Sequence, residues 1–165
     1  MAINTFPVSN GEVLDADTIN YLNDIGIEQI YTGTGYDSSA SSGATDEEDH
    51  ELDAVSSTTR SYVKISMVGT YLINENNGTN QVELKAQIKE TGESYGDIED
   101  YNIVAYVNGT NAHNERGNVN YVLVATLTAG MKANGYQIKV FSKSTAAASG
   151  DDASFTNIQT VVEEI

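Results

Sequence analysis

No cysteine and no tryptophan occur among the 165 residues, and there is a single proline, Pro7. Without cysteine the chain has no disulfide, no thiolate nucleophile and no zinc–thiolate site. His50 and His113 are the only histidines, fewer than the three or four ligands that zinc takes. Basic residues are also scarce. Eight Lys and Arg face 24 Asp and Glu, for a net charge of −16. A surface of that sign repels phosphate backbones, and no basic patch is present to release counterions. Nucleic acid and membrane surfaces are therefore not expected partners. No apolar run approaches the ~20 residues of a membrane span. The opening MAINTFPVSNGEV has neither a basic n-region nor an apolar h-region, so no Sec leader is predicted.

Catalytic signatures are missing as well. There is no G-x-S-x-G elbow, no P-loop and no G-x-G-x-x-G after a strand; GTGYDSS lacks the lysine. Carboxylates abound, yet nothing singles out the pair a glycosidase needs. The sequence predicts a protein that is not an enzyme, with no catalytic residues, no metal and no cofactor. His113 and Glu115 form H-x-E, which on a strand would share a face, but two ligands make no metal site.

What is present is Ser, Thr, Asn, 14 Gly and 10 Tyr, residues that suit strands and tight turns. Three regions separate. In residues 1–31, Asp15 or Asp17 can cap a short helix whose stripe is Ile19, Leu22 and Ile25, with Gly26 ending it. Such a helix is too short to stand alone in water and must dock on something. Residues 32–59 are rich in Gly, Ser and Thr and carry Asp46, Glu47, Glu48, Asp49, Glu51 and Asp53. They read as a linker or a long exposed loop, with calcium disfavoured because the EF-hand spacing is absent.

Residues 60–165 read as strands. Val63, Ile65, Met67, Gly69, Tyr71 and Ile73 share one face, with a period of two. Val82, Leu84, Ala86 and Ile88 alternate with polar residues, as do Tyr136, Ile138 and Val140. Tyr121–Leu127 is apolar on both faces and reads as a central strand. Asn77-Gly78, Asn108-Gly109 and Asn134-Gly135 supply hairpin-turn signals. The fold class expected is all-β, an antiparallel jelly-roll-like sandwich preceded by a short helix and arm. Tyr95, Asp97, Tyr101, Asn111 and His113 form a candidate ligand loop, tyrosine giving rigid contact area at low entropy cost.

Gly11, Leu14, Ala16, Ile19, Asn20 and Leu22 carry a pattern that resembles the N-terminal segment of bacteriophage tail-fibre, baseplate and other virion appendage proteins. The C-terminal region is similar to the TNF/C1q-like jelly rolls of phage fibres. That likeness rests on Gly69-Thr70-Tyr71-Leu72-Ile73, on Leu127-Thr128-Ala129-Gly130 and on Phe155, with Met131 departing from an expected Asp. The resemblance implies a homotrimeric virion surface protein made in bacterial cytoplasm. It also implies partners among capsid, portal or tail proteins. Particle attachment would fall on Leu14, Ile19, Leu22 and Ile25, and the trimer interface on Val104, Tyr106, Val122 and Val124. A head fibre or capsid decoration subunit is the first expectation. The alternative is a tail-fibre or tail-tip module that binds a receptor or host-surface glycan. A depolymerase fragment and a bacterial adhesin are further rivals.

Overall fold

The computed structural model describes residues 28–33, 36–75, 78–109 and 113–165. The period-two pattern at residues 62–75 buries Val63, Ile65, Met67 and Ile73 on one side of a 14-residue strand. Ten strands form in all among the described residues: β1 (Glu28–Gly33), β2 (Ser38–Ser41), β3 (Thr45–Glu51), β4 (Tyr62–Glu75), β5 (Gly78–Glu90), β6 (Gly96–Asp97), β7 (Asn102–Gly109), β8 (His113–Thr126), β9 (Tyr136–Thr145) and β10 (Asp152–Glu164). One helical turn and a half, α1 (Ala129–Asn134), joins β8 to β9.

The strands make two antiparallel sheets. The first runs β1-β10-β4-β8, with β2 also on β10; the second runs β3-β9-β5-β7, with the two-residue β6 beside it on β5. Chain order alternates between the sheets, β2 to β3, β3 to β4, β4 to β5, β7 to β8, β8 to β9 and β9 to β10. This wrapping is the jelly roll, which folds two Greek keys over one core. The core holds the inward halves of the expected strands: Val63, Ile65 and Met67 from β4, Val82 and Leu84 from β5, Ile138 and Val140 from β9, Phe155, Ile158 and Val162 from β10. Two rings reach that core through glycine gaps. Phe155 lies over Gly69, and Tyr71 over Gly117, each so close that a Cβ on the glycine would overlap the ring.

Where β2 closes on β9, the interior is polar and paired. The Tyr36 hydroxyl meets Thr160 Oγ1, Ser142 Oγ donates to the Tyr36 carbonyl, and the hydroxyls of Ser38 and Ser144 meet at 2.8 Å. Buried hydroxyls cost little once partnered in this way. At the opposite end, the buried Glu164 carboxylate accepts from Tyr136 Oη at 2.8 Å and Thr58 Oγ1 at 2.7 Å, which ties residues 55–58 to the sandwich.

Several expectations need correction. Residues 32–59 are not a linker throughout: β2 and β3 lie within them, and the acidic run is β3, paired residue for residue with β9 from Thr45↔Thr145 to Glu51↔Lys139. Lysines at 139 and 143 on β9 offset a strand that reads as loop from composition alone. The Tyr121–Leu127 stretch is not central. β8 pairs with β4 alone among the described residues, so its second apolar side faces solvent. Asn134-Gly135 makes no hairpin. Gly135, at φ 88°, ends α1, its N–H bonding the Met131 carbonyl. The residues flanking Asn77-Gly78 belong to different sheets, so that signal marks a crossover rather than a hairpin. The helix expected near residues 15–26, and with it Leu14, Ile19, Leu22 and Ile25, lies outside the described residues.

Candidate functional site

Two surfaces gather the residues singled out from the sequence. The first is the outer face of the β3-β9-β5 sheet. Register places Glu51 beside Lys139 and Gln87, Asp49 beside Phe141 and Lys85, and Glu47 beside Lys143 and Glu83. The segment 91–101, which contains β6, lays two tyrosines over these rows. Tyr101 carries the ammonium groups of Lys143 and Lys85 at 4.7 and 5.0 Å from its ring centre, and meets Phe141 edge to face at 6.4 Å. Tyr95 carries Lys89 at 4.3 Å and Lys139 at 5.6 Å. Cation–ring contacts of this kind contribute about 0.5–1 kcal/mol each at exposed sites.

The lysines are also ion-paired: Lys143 with Glu83 at 2.8 Å, Lys85 with Asp97 at 3.0 Å, Lys139 with Asp49 at 3.3 Å. The hydroxyls of Tyr95 and Tyr101 point inward, out of contact with water and outside normal hydrogen-bond geometry. Burial raises both phenols well above their usual value, and the carboxylates of β3 add to it, Glu51 at Tyr95 and Glu47 at Tyr101. Asp97 is held below the usual carboxylate range by hydrogen bonds from Gln87 and Lys85. The arrangement is thus a strap across the sheet, with the tyrosines as its rivets. Of the candidate ligand loop it brings together Tyr95, Asp97 and Tyr101. His113 opens β8 opposite Glu75, and Asn111 lies outside the described residues.

Sequence reading missed the four lysines and Phe141. Their signal was present in part, since Lys85 and Lys139 each lie between apolar residues on their strands. Which strands lie side by side, however, depends on β5–β9 pairings 46 to 64 residues apart.

The second surface is the flank made by the edge strands β7 and β8. Val122 and Val124 stand side by side on the outer face of β8, 45% and 54% exposed. Their cross-strand neighbours are Ser66 and Lys64 on β4, and Lys64 pairs with Glu163. Tyr106 is 50% exposed on the outer face of the other sheet, its hydroxyl accepting from Asn108 Nδ2 at 3.0 Å. Val104 differs: it is partly buried against the core, at the bulge where β7 slips against Val82 and Glu83. Behind β8, the Tyr121 hydroxyl donates to Glu99 at 3.3 Å, and burial beside that carboxylate pushes its phenol up to about 12.

No protein family and no curated protein matches the chain. Three solved structures are similar to it in outline. TmCBM61 in complex with β-1,4-galactotriose is 12% identical, with a TM-score of 0.33 over 74% of this chain and 67% of that one. Family 16 Carbohydrate Binding Module-2 is 13% identical, with a TM-score of 0.32 over 74% and 73%. A chain of infectious bursal disease virus, Gx strain, is 18% identical, with a TM-score of 0.38 over 84% of this chain and 32% of its own length. Likeness at this level assigns neither family nor ligand. The strand order itself carries the jelly-roll description.

Proposed function

We propose that this chain is a non-catalytic structural subunit of a bacteriophage virion. In this reading residues 1–31 attach it to the particle through Leu14, Ile19, Leu22 and Ile25. The jelly roll is displayed at the virion surface as a homotrimer. The position is that of a head fibre or capsid decoration subunit. The observation that carries the reading is the exposure of Val122 and Val124, side by side on the outer face of the edge strand β8. Neighbouring apolar side chains left open on an edge strand support an association surface. The N-terminal resemblance to virion appendage proteins supplies the particle.

A tail-tip glycan-binding module draws less support. Sugar stacking needs an open aromatic face, and each ring at Tyr95 and Tyr101 is attended by two lysines and buries its hydroxyl.

Light scattering of the full chain over a hundredfold concentration range tests the assembly. A concentration-independent mass of three 17.7 kDa chains is expected. A mass of one chain throughout would refute the trimer. Immunogold labelling of particles from the producing host tests the location, with label on heads expected. Unlabelled particles would refute a virion protein.

A further inference from the structure

Both sheets end in edge strands, and among the described residues all of these but one carry a feature that discourages a further strand. β3 is acidic, with Asp46, Glu47, Glu48, Asp49 and Glu51 among its seven residues. β1 breaks register between Gln29 and Tyr31, and β7 slips against Val82 and Glu83. β2 and β6 are four and two residues long. Charge, bulges and shortness are the usual means of blunting an edge. β8 has none of them over most of its length. It pairs with β4 from Tyr62↔Thr126 to Glu75↔His113 without a register shift, and its run from Gly117 to Thr126 contains no Asp, Glu, Lys, Arg or Pro. Among the described residues no strand lies on its other side. About 34 Å of backbone edge is left without a neighbouring strand, at ~3.4 Å per residue.

We infer that the open edge of β8 takes up an extended peptide from a different protein as an added strand. Main-chain hydrogen bonds hold such a strand, and alternate side chains select it. The chemistry of the peptide follows from β8. A residue directly opposite Tyr121 shares its face of the sheet. On that face the Tyr121 hydroxyl donates to Glu99 at 3.3 Å, and Glu99 is exposed and also accepts from Asn102 Nδ2 at 3.1 Å. The position opposite Tyr121 therefore suits lysine or arginine. Positions opposite Val119 and Leu123 share the face of buried side chains and suit valine or isoleucine. Those opposite Asn120 and Val122 face outward, where threonine fits. A second copy of β8 does not meet this description. Two β8 edges joined antiparallel at Tyr121 would set two Glu99 carboxylates against each other, between chains that each carry −16.

The test uses the full chain and a synthetic peptide that alternates valine with threonine around a central lysine. Binding is read by fluorescence anisotropy, and the site by amide hydrogen exchange. The peptide is expected to bind and to slow exchange at alternate amides of residues 117–126. N-methyl groups along one edge of the peptide should abolish binding, and N-methyl groups along the other edge should leave it. Replacing the central lysine with glutamate should weaken binding about tenfold, because an attractive cross-strand pair becomes a repulsive one. Glu99→Lys should reverse that order, and Glu99 lies outside the core, so thermal melting should show the sandwich intact. No binding at millimolar peptide, or equal binding by the two N-methylated forms, would overturn the inference. So would protection confined to β3 or β7. Protection of alternate amides in 117–126 that grows with protein concentration, without peptide, would give the edge to a second copy and overturn the choice of occupant. The trimer proposed above uses the outer face of β8 and is read by mass, so either proposal stands if the other fails.

Discussion

Gly69→Ala tests whether the packing of Phe155 depends on a missing side chain. A Cβ built on Gly69 stands 2.6 Å from Phe155 Cζ, 2.8 Å from Cε2 and 3.2 Å from Cε1. Carbon atoms rest at about 3.5–4.0 Å, so ring and strand must part by roughly 1 Å. Phe155 has nowhere to go: it is fully buried, on a strand paired with β4 on one side and β2 on the other. Overpacking of this sort costs about 1–3 kcal/mol. Gly69 has no positive φ, so alanine suits its backbone, and the lost freedom of the unfolded chain returns about 0.4–1 kcal/mol. The net expectation is a loss of about 1–2 kcal/mol, or roughly 2–8 °C in Tm for a chain of this size. Urea unfolding followed by circular dichroism, at one fixed protein concentration, measures it. The decisive variant is the double one. Phe155→Leu opens space at the ring, so its cost and that of Gly69→Ala should not add, with a coupling of about 1 kcal/mol. A Gly69→Ala protein as stable as the parent, or strictly additive costs, would refute the reasoning.

Gly135→Ala should be worse than Gly69→Ala, by about 3 kcal/mol in all: the backbone there is glycine-only in conformation, and the new Cβ would lie 2.3 Å from the Val55 carbonyl oxygen. Urea unfolding checks it, and a loss under 1 kcal/mol would contradict it. Tyr136→Phe removes a donor from the buried Glu164 carboxylate and should cost about 1–3 kcal/mol, while the ring that remains still fills its place in the core; an unchanged unfolding midpoint would count against that carboxylate as an anchor. Alkaline pH should unfold the strap. The phenols of Tyr95, Tyr101 and Tyr121 titrate higher in the fold than the usual value near 10. Above pH 10 the unfolded chain therefore holds fewer protons than the native one, and stability falls as pH rises. Melting curves between pH 8 and 11.5 should show the decline, and Tyr95→Phe with Tyr101→Phe should flatten it; an equal decline in that variant would sink the assignment.

The strands of residues 60–165 are legible because alternation survives in a half-buried sheet. Val63 through Ile73 read correctly, since polar and apolar residues there separate by face. Two kinds of region are not legible. β3 hides its identity because four of its five exposed positions and one partly buried one are acidic, so composition outweighs period. β8 misleads in the opposite sense: Val122 and Val124 are apolar, and nothing in a single strand tells an apolar face that is buried from one that is left open. The strap is half visible. Tyr95 and Tyr101 stand out as a pair in a polar segment, which suggests a ligand loop, whereas the rings cover lysines of their own sheet. Only the pairing of β5 with β9 reveals that those lysines are neighbours.

The antiparallel pairing of β1 with β10 sets Glu28 opposite Glu164, so the point where the chain enters the sandwich lies beside the point where it leaves. A load that pulls those two ends apart acts across the hydrogen bonds of the β1–β10 ladder, beginning at one end of it. Those bonds open one after another, like a zip, from Glu28↔Glu164 toward Gly33↔Thr160. The turns at 42–44 and 146–151 cap the far end, so a peptide inserted there would project away from Glu28 and Glu164.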